Sequence, residues 1–410
     1  MAPLSGIRVL DLSLQLPGPL CTMMMADYGA DVVKIDEPEP RVRNPFAAEE
    51  PGTGPVDRYQ NRGKRSVTIN LKTEEGKAIF LRLAETADVV VEGFRPGVVR
   101  RLGIDYDAVS AVNPKIVYCS ISGYGQDGPM RDVPGHDVNY LSYAGVLGLC
   151  GRKGDDPTLL PVQVGDVFGG SMMALSGILM ALLGRERTGK GARVDVSMTD
   201  GAMASLALPA ASWLGAGVPQ ERGSLPLTGM FPCYEVYRCA DGGFLSVGAL
   251  EAWFWKALTS ALGREELAGM QYATGAEGER VKEALRAVFL TLPRDEWVKQ
   301  LAGIDACISP VLDLPEALLH PNAVSRRMVV DVASPLGGTD RQLGMPIKID
   351  GVPEAPRRAP LLGEHDDEIL AGLGYTKEQI AGLRAKGVIR KRRDLGGQAP
   401  PADGRKGGTP

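Results

Sequence analysis

The sequence predicts an α/β fold in which a parallel sheet flanked by helices is joined to a smaller α+β domain, and three observations carry that prediction. Over the first hundred residues, apolar β-branched runs alternate with helical ones. Near residue 225 the texture changes to short strands followed by amphipathic helices. Beyond about residue 325, β-rich stretches return ahead of two short helical ones.

Taken in order, "IRVLDLS" reads as a strand, "GPLCTMMMADYGA" as a helix, "DVVKID" as a strand, "EEGKAIFLRLAETA" as a helix and "DVVVEGF" as a strand. The strand "KIVYCSIS" follows, then helices over roughly 138–148 and 168–185, then "ARVDVSM" as strand again. "CYEVYR" and "GFLSVGAL" are the short strands of the smaller domain, and "WFWKALTSAL" and "EGERVKEALRAVFLTL" its amphipathic helices. After residue 325, "VVDVASP" and "GTDRQLGMPIKID" are β-rich, and "DDEILAGLGYTKEQIAGLRAKGVI" divides into two short helices. The tail 392–410, rich in Gly, Pro and charge, is expected to be disordered. No internal repeat is visible.

Composition narrows the function. The chain has 410 residues, 44% of them apolar and 23% charged, enough for two cores or one large one. A net charge of -4 argues against a nucleic-acid surface while leaving room for a locally basic pocket. Six cysteines without a CxxC pair suit reduced thiols in a cytoplasm better than disulfides or a zinc site, and three histidines argue against a His-rich metal site. No basic stretch followed by an apolar run opens the chain, and no segment approaches 18 unbroken apolar residues, so neither a signal peptide nor a membrane helix is expected. A soluble cytoplasmic protein follows as the expectation.

Two motifs resemble nucleotide sites and fail on context. Gly123–Gly128 fits GxGxxG after a strand, but Pro129 and Pro134 deny the helix that should follow. The run from Gly184 to Lys190 nearly fits a P-loop, yet Gly191 stands where Ser or Thr should ligate magnesium, and helix precedes strand instead of following it. It reads as a helix end and a turn. Two basic stretches are more informative. "NRGKRSVTINLK" supplies Arg62, Lys64, Arg65 and Lys72, and "FRPGVVRRLG" supplies Arg95, Arg100 and Arg101. Composition alone leaves two readings open: ordinary solvated charge, or a grip on a polyanionic ligand such as a nucleotide or coenzyme A.

Together "LSGIRVLDLS", "GADVVKIDEP", "NRGKRSVTINLK", "EGFRPGVVRRLGIDYDAV", "SISGYGQDGP", "RTGKGARVDVSMTDG" and "LLGEHDDEIL" resemble the family of type III coenzyme A transferases and α-methylacyl-CoA racemases, the CaiB/BaiF-like proteins. The resemblance runs from near residue 4 to about 390. It implies a CoA thioester ligand and a doubly wound large domain built from both chain ends, residues 1–224 and 326–391, around a small central domain, residues 225–325. It also implies a homodimer of interlocked subunits, and it makes Arg62, Lys64, Arg65, Lys72, Arg95, Arg101 and Asp137 the residues to hold the CoA.

Within the family, transferases use an aspartate that becomes covalently acylated, and "VGDVFGG" places Asp166 there. Racemases use that aspartate as a base beside a histidine and a glutamate. "GHDVNY" offers His136, and "VGALEAWF" offers Glu251. The stretch "ERGSLPLTGMFPCYEVY" lacks the run of glycines that formyl-CoA transferases carry before the small-domain strand. These three differences favour the racemase branch, with CoA transfer through Asp166 as the alternative.

Inverting a stereocentre beside a thioester needs two acid–base groups flanking the carbon. His136 suits one face because both its protonation states are accessible near neutral pH. Asp166 suits the other only if burial raises its pKa. Glu251 would orient the imidazole. Asp166 and Glu251 follow His136 by 30 and 115 positions, so only the tertiary fold can gather them. The enolate oxygen would be met by backbone amides at helix starts, near Asp137, Val167 or Phe168. No metal, nicotinamide or pyridoxal cofactor is implied, CoA being part of the substrate. Each residue alone also has a plainer reading: Asp166 as a helix cap, Glu251 as a first-turn acid, His136 as a loop residue. Met172, Met173, Met198, Met203 and Met230 are candidates for an adaptable acyl surface, or for plain core.

Overall fold

The computed structural model describes residues 2–39, 52–352 and 354–391, so the expected disorder of 392–410 lies outside the described residues. Two compact units emerge. One comprises Met1–Tyr143, Val162–Ala204 and Pro321–Pro410, and the other Ala144–Pro161 and Ser205–His320. The first therefore takes in both chain ends. The stretch 205–224, placed with the large domain by sequence texture, belongs to the second unit, as does 144–161.

The first unit is built on six strands: β1 (Arg8–Asp11), β2 (Asp31–Asp36), β3 (Arg65–Thr68), β4 (Val89–Glu92), β5 (Val117–Ser122) and β6 (Ala192–Ser197). All neighbours pair in parallel in the order β3-β2-β1-β4-β5-β6. Strands covered on both faces read as nearly continuous apolar runs, which is why β4, and β2 despite its buried Lys34, were legible. One face packs Leu10, Val90 and Tyr118 against Ile79 and Phe80 of the Glu74–Ala84 helix and against Ile369, Leu370, Ile380 and Leu383 from the C-terminal helices. The other packs Val9, Val91 and Ile121 against Met25 of the Pro17–Asp27 helix and against Ala174, Ile178 and Leu182. Proline at the first position starts the Pro17 helix at no hydrogen-bond cost. Thr73 caps the Glu74 helix by accepting the Gly76 N–H at 3.0 Å. Residues 329–343 form an antiparallel hairpin in which Val329 faces Leu343.

This strand order reverses direction between β1 and β4, and the crevice at that reversal, outside the carboxyl ends of the strands, is where doubly wound sheets bind ligands. The loops after β1 and β4 do lie side by side there: a side chain on Gly93 would meet Ser13 at 3.8 Å and Leu14 at 3.9 Å.

A 24-residue helix, Gly165–Thr188, begins with a π-helical stretch, Gly165–Met172, and continues as α-helix from Met173. Wide turns of this kind are rare and favour functional sites. Its glycines let it approach the Met198–Ala204 helix backbone to backbone, since a Cβ on Gly169 would lie 2.4 Å from the Met198 carbonyl oxygen. Ser171 Oγ donates to the Pro17 carbonyl at 2.7 Å, tying the helix to the turn after β1. By length and composition this helix passes as a membrane span, although the sequence showed no unbroken apolar segment. In the fold one stripe packs on the sheet while Leu179, Met180 and Leu183 face outward.

The second unit holds an antiparallel sheet of β7 (Tyr234–Arg238), β8 (Phe244–Gly248) and β9 (Ile308–Pro310). Its core joins Tyr237, Trp255, Leu285, Phe289 and Trp297. Both buried indoles find acceptors, Trp255 on the Leu267 carbonyl and Trp297 on that of Phe289, each at 2.9 Å.

Both discarded nucleotide motifs fold as their context predicted. After Gly128 no helix starts until Asp137. Gly189 ends the long helix at φ 67° before β6 begins.

Candidate active site

β5 delivers the chain into the loop 123–136, and His136 ends that loop as the residue before the Asp137–Tyr143 helix. Its carbonyl accepts the Asn139 and Tyr140 amides at 2.8 and 3.2 Å, and its own N–H donates to Asn139 Oδ1 at 3.0 Å. This reciprocal pairing fixes His136 by its backbone and leaves the exposed imidazole unconstrained by the cap.

Below it the Tyr140 ring is wedged edge-on against Tyr124, which packs in turn on Tyr143. The Tyr140 hydroxyl donates to the Gly135 carbonyl at 2.6 Å, steadying the residue before His136. The buried Tyr124 hydroxyl has no partner among the described residues.

Asp166 enters from the start of the π-helical stretch. It is not the cap residue there, since Val164 holds that place and its side chain makes no capping bond, so the plain capping role does not account for Asp166. Its amide donates to Asp137 Oδ1 at 3.0 Å, placing it against the residue that follows His136. Burial, and then the negative charge of Asp137, pushes the Asp166 carboxyl up to about 6. Burial likewise raises the Tyr140 phenol to about 12, helped by Asp166, Tyr124 and Asp137 and opposed by Arg95. The charge of Arg95 is thus felt at Tyr140. Tyr140 and Arg131 were not singled out from the sequence; the one hint was that Tyr140 sits in the "GHDVNY" stretch.

Among the amides proposed for an oxyanion, Val167 is excluded because its N–H donates to the Gln163 carbonyl at 2.8 Å. Asp137 opens its helix, where an amide lacks an intrahelical acceptor. Across the crevice, Gln15 holds φ 64°, a left-handed conformation uncommon outside glycine, in the turn after β1.

The two basic stretches part company. Arg62 is buried, with Nη2 on Asp27 Oδ2 at 2.6 Å and its guanidinium against the Tyr59 ring. Lys64 spends all three ammonium protons inside the protein, on Asp11 Oδ2 at 2.9 Å and on the Pro19 carbonyl and Asn61 Oδ1 at 3.0 Å. Neither can grip a ligand, which corrects the expectation for both. Arg65 is held by Asp31 and Glu368 at 2.7 and 3.0 Å, and Lys72 by Glu37 at 3.1 Å. By contrast Arg95, Arg100 and Arg101 are exposed and form no ion pair among the described residues. Arg101 and Arg131 both reach toward Gly97, at 3.7 and 3.3 Å from the place of its missing Cβ.

Glu251 stands in the second unit, between β8 and the Ala252–Ala261 helix. It is the residue before that helix, not in its first turn, and its exposed side chain makes no capping bond. Its charge acts on Cys307, itself at φ 48°. Of the methionines, Met198 is core, Met172, Met173 and Met230 are half-buried, and Met203 is exposed. Among the described residues no three His, Cys, Asp or Glu side chains gather as metal ligands would.

Residues 4–366 match CoA-transferase family III. The α-methylacyl-CoA racemase of Homo sapiens is 34% identical over 389 residues, covering 94% of this chain and 97% of that protein. The acetyl-CoA:oxalate CoA-transferase of Acetobacter aceti is 33% identical, covering 88% and 93%. A CaiB/BaiF family protein from Brucella suis, known from its crystal structure, superposes with a TM-score of 0.77 at 30% identity, covering 91% of this chain and 99% of that one.

Proposed function

The chain belongs to CoA-transferase family III, and we propose that within it this protein is an α-methylacyl-CoA racemase or a close epimerase. It would invert the carbon beside the thioester of a 2-methyl-branched acyl-CoA by 1,1-proton transfer, without metal, nicotinamide or pyridoxal.

One observation carries this reading. His136 and Asp166, 30 positions apart, are held on one piece of backbone by the 3.0 Å bond from the Asp166 amide to Asp137, the residue after His136. A reversible inversion asks each group to give a proton in one direction and take it in the other. A carboxyl raised to about 6 meets that demand where an ordinary aspartate would be too weak a base. One group removes the α-proton, charge moves onto the thioester oxygen, and the other group returns a proton to the opposite face. The Asp137 amide is offered to the developing oxyanion. Arg95 and Arg101 are assigned to the CoA phosphates, with Arg131 beside them. Glu251 keeps the orienting role that the resemblance gives it.

CoA transfer is the second reading, favoured by relatives named as transferases at nearly equal identity. In it the Asp166 carboxylate attacks the thioester carbonyl and expels CoA thiolate, leaving an acyl–aspartyl anhydride. Mass spectrometry of (2S)-2-methylacyl-CoA incubated with the protein in D₂O, without acceptor acid, separates the two. Gain of one deuterium at carbon 2 with loss of chirality supports inversion. No gain, followed by CoA exchange once a carboxylic acid is added, moves the protein to the transferase branch.

We also assign it an interlocked homodimer, because large apolar side chains stand exposed in each unit: Leu179, Met180 and Leu183 in one, Leu208, Trp213 and Leu214 in the other. A second copy would cover them. Light scattering that finds a monomer at micromolar concentration would remove this assignment.

A further inference from the structure

Asp137 is adjacent in sequence to one candidate base and bonded to the backbone of the other. Its Oδ1 accepts the Asp166 amide at 3.0 Å, satisfying one of the N–H groups that a helix start leaves without an internal partner. Glycine at 165 leaves that carboxylate its present place, since a Cβ there would stand 2.9 Å from Asp137 Oδ1 and 3.4 Å from Tyr140 Cβ. A helix start tolerates an acidic neighbour readily, and serine or asparagine would serve as well for capping alone. A second carboxylate beside a buried one is different, because like charges oppose each other's ionisation.

We propose that Asp137 is a positioning residue which clamps the first turn of the Asp166 helix through the Asp166 amide and holds a fixed negative charge beside the Asp166 carboxyl. The proposal rests on the racemase reading for its catalytic meaning, since it makes one side chain set both the place and the basicity of the second base.

The surroundings of Asp166 leave Asp137 as the charge that acts on it. The elements packed on the π-helical stretch are the Asp137–Tyr143, Met198–Ala204 and Pro17–Asp27 helices and β6. They carry Asp137, Tyr140 and Tyr143, then Asp200, then Cys21 and Asp27, and Arg193 and Asp195 respectively, and of these only Asp137 shifts the Asp166 carboxyl, beyond the effect of burial. Arg95 reaches Tyr140 but contributes nothing to Asp166 itself. No cation offsets the repulsion.

Asp137→Asn and Asp137→Ser keep an oxygen to accept the amide and remove the charge, whereas Asp137→Ala removes both. The direct measurement is a ¹³C carboxyl NMR titration of Asp166, its resonance assigned by its loss in Asp166→Asn. The wild-type midpoint is expected near about 6. In the Asn and Ser variants it should fall by about one unit, as loss of a like charge at close range predicts. The acid limb of kcat/KM for deuterium uptake, which needs the ionised carboxylate, should move to lower pH with it. Asp137→Ala should lower kcat about tenfold or more across the whole pH range, with KM changed far less, because the base is misplaced. A helix cap with no electrostatic role would leave the Asn and Ser titrations superimposed on wild type, and that result overturns the proposal. Should the wild type take up no deuterium at all, the racemase reading fails, while the NMR titration still decides the role of Asp137.

Discussion

Residues 62–72 and 95–101 look alike in the sequence, each a short stretch crowded with Lys and Arg, yet the fold uses them in opposite ways. In the first, Arg62 and Lys64 are buried and each meets a buried carboxylate, Asp27 and Asp11. In the second, Arg95, Arg100 and Arg101 stand in solvent beside the crevice with no carboxylate among the described residues to quench them. What separates a structural cation from a ligand-binding one is therefore the partner waiting in the fold, which the local sequence does not display. The same rule divides the carboxylates. Burial alone would raise Asp11, but Lys64, Lys34 and the hydroxyls of Ser13 and Thr22 hold it well below the ordinary range. Asp166 has no cation and is pushed the other way.

The largest expected effect lies in the first stretch. Lys64→Ala leaves Asp11 buried without its nearest cation, and breaking such a pair costs about 3–5 kcal/mol. Urea unfolding should show that loss; a variant as stable as wild type would mean that Lys64 is not committed to the fold and could reach a ligand. Asp166→Asn should act with opposite sign. Because the folded pKa is raised to about 6, above roughly 3.9 in the unfolded chain, the stability this carboxyl contributes is present below pH ~4 and lost as pH rises through ~6. The variant should thus equal wild type near pH ~4 and exceed it by about 1–2 kcal/mol near pH ~8, after allowance for solvent screening. Equal melting temperatures across that range would show that Asp166 is not strained by its setting.

How far the sequence carried follows from which forces are local. β1, β2, β4 and β5 were legible because strands buried on both faces read as nearly continuous apolar runs, and the last two helices because their patterns are strong, while 329–343 showed only as β-rich. β3 was hidden: its residues Arg65–Thr68 lie inside the basic stretch, where charge drew more notice than the β-branched Val67 and Thr68. β9, three residues ending in Pro310, offers too short a signal for periodicity. His136 and Asp166 could be named from motifs. Their connection through Asp137 and the burial of Arg62 and Lys64 are tertiary facts, made by residues tens to hundreds of positions apart.

In the second stretch the effects should fall on binding and spare the fold. Arg95→Ala and Arg101→Ala each remove a charge assigned to a phosphate, worth about tenfold in affinity for a CoA thioester. Being exposed, neither should change stability by more than about 0.5 kcal/mol. Isothermal titration with CoA, paired with thermal melts, checks both halves. A variant that loses stability but keeps affinity would place that arginine with Lys64, and the contrast between the stretches would fail there.

Lys72 gives the smallest effect and the sharpest boundary. It belongs to the first stretch by sequence but shares the exposure of the second, its side chain 72% accessible and paired with Glu37 at 3.1 Å. A pair this open gains little, because water screens the attraction and two long side chains must be held in one arrangement, so Lys72→Ala should cost about 0–0.5 kcal/mol. If the first stretch serves only the fold, affinity for CoA should also stay within about twofold, well under the tenfold assigned to a phosphate contact. A tenfold loss on Lys72→Ala, with stability intact, would show that Glu37 yields the ammonium to ligand when one arrives. The dividing line would then run inside the first stretch, between Lys64 and Lys72, and exposure, not position in the sequence, would mark which cations of this protein meet the coenzyme.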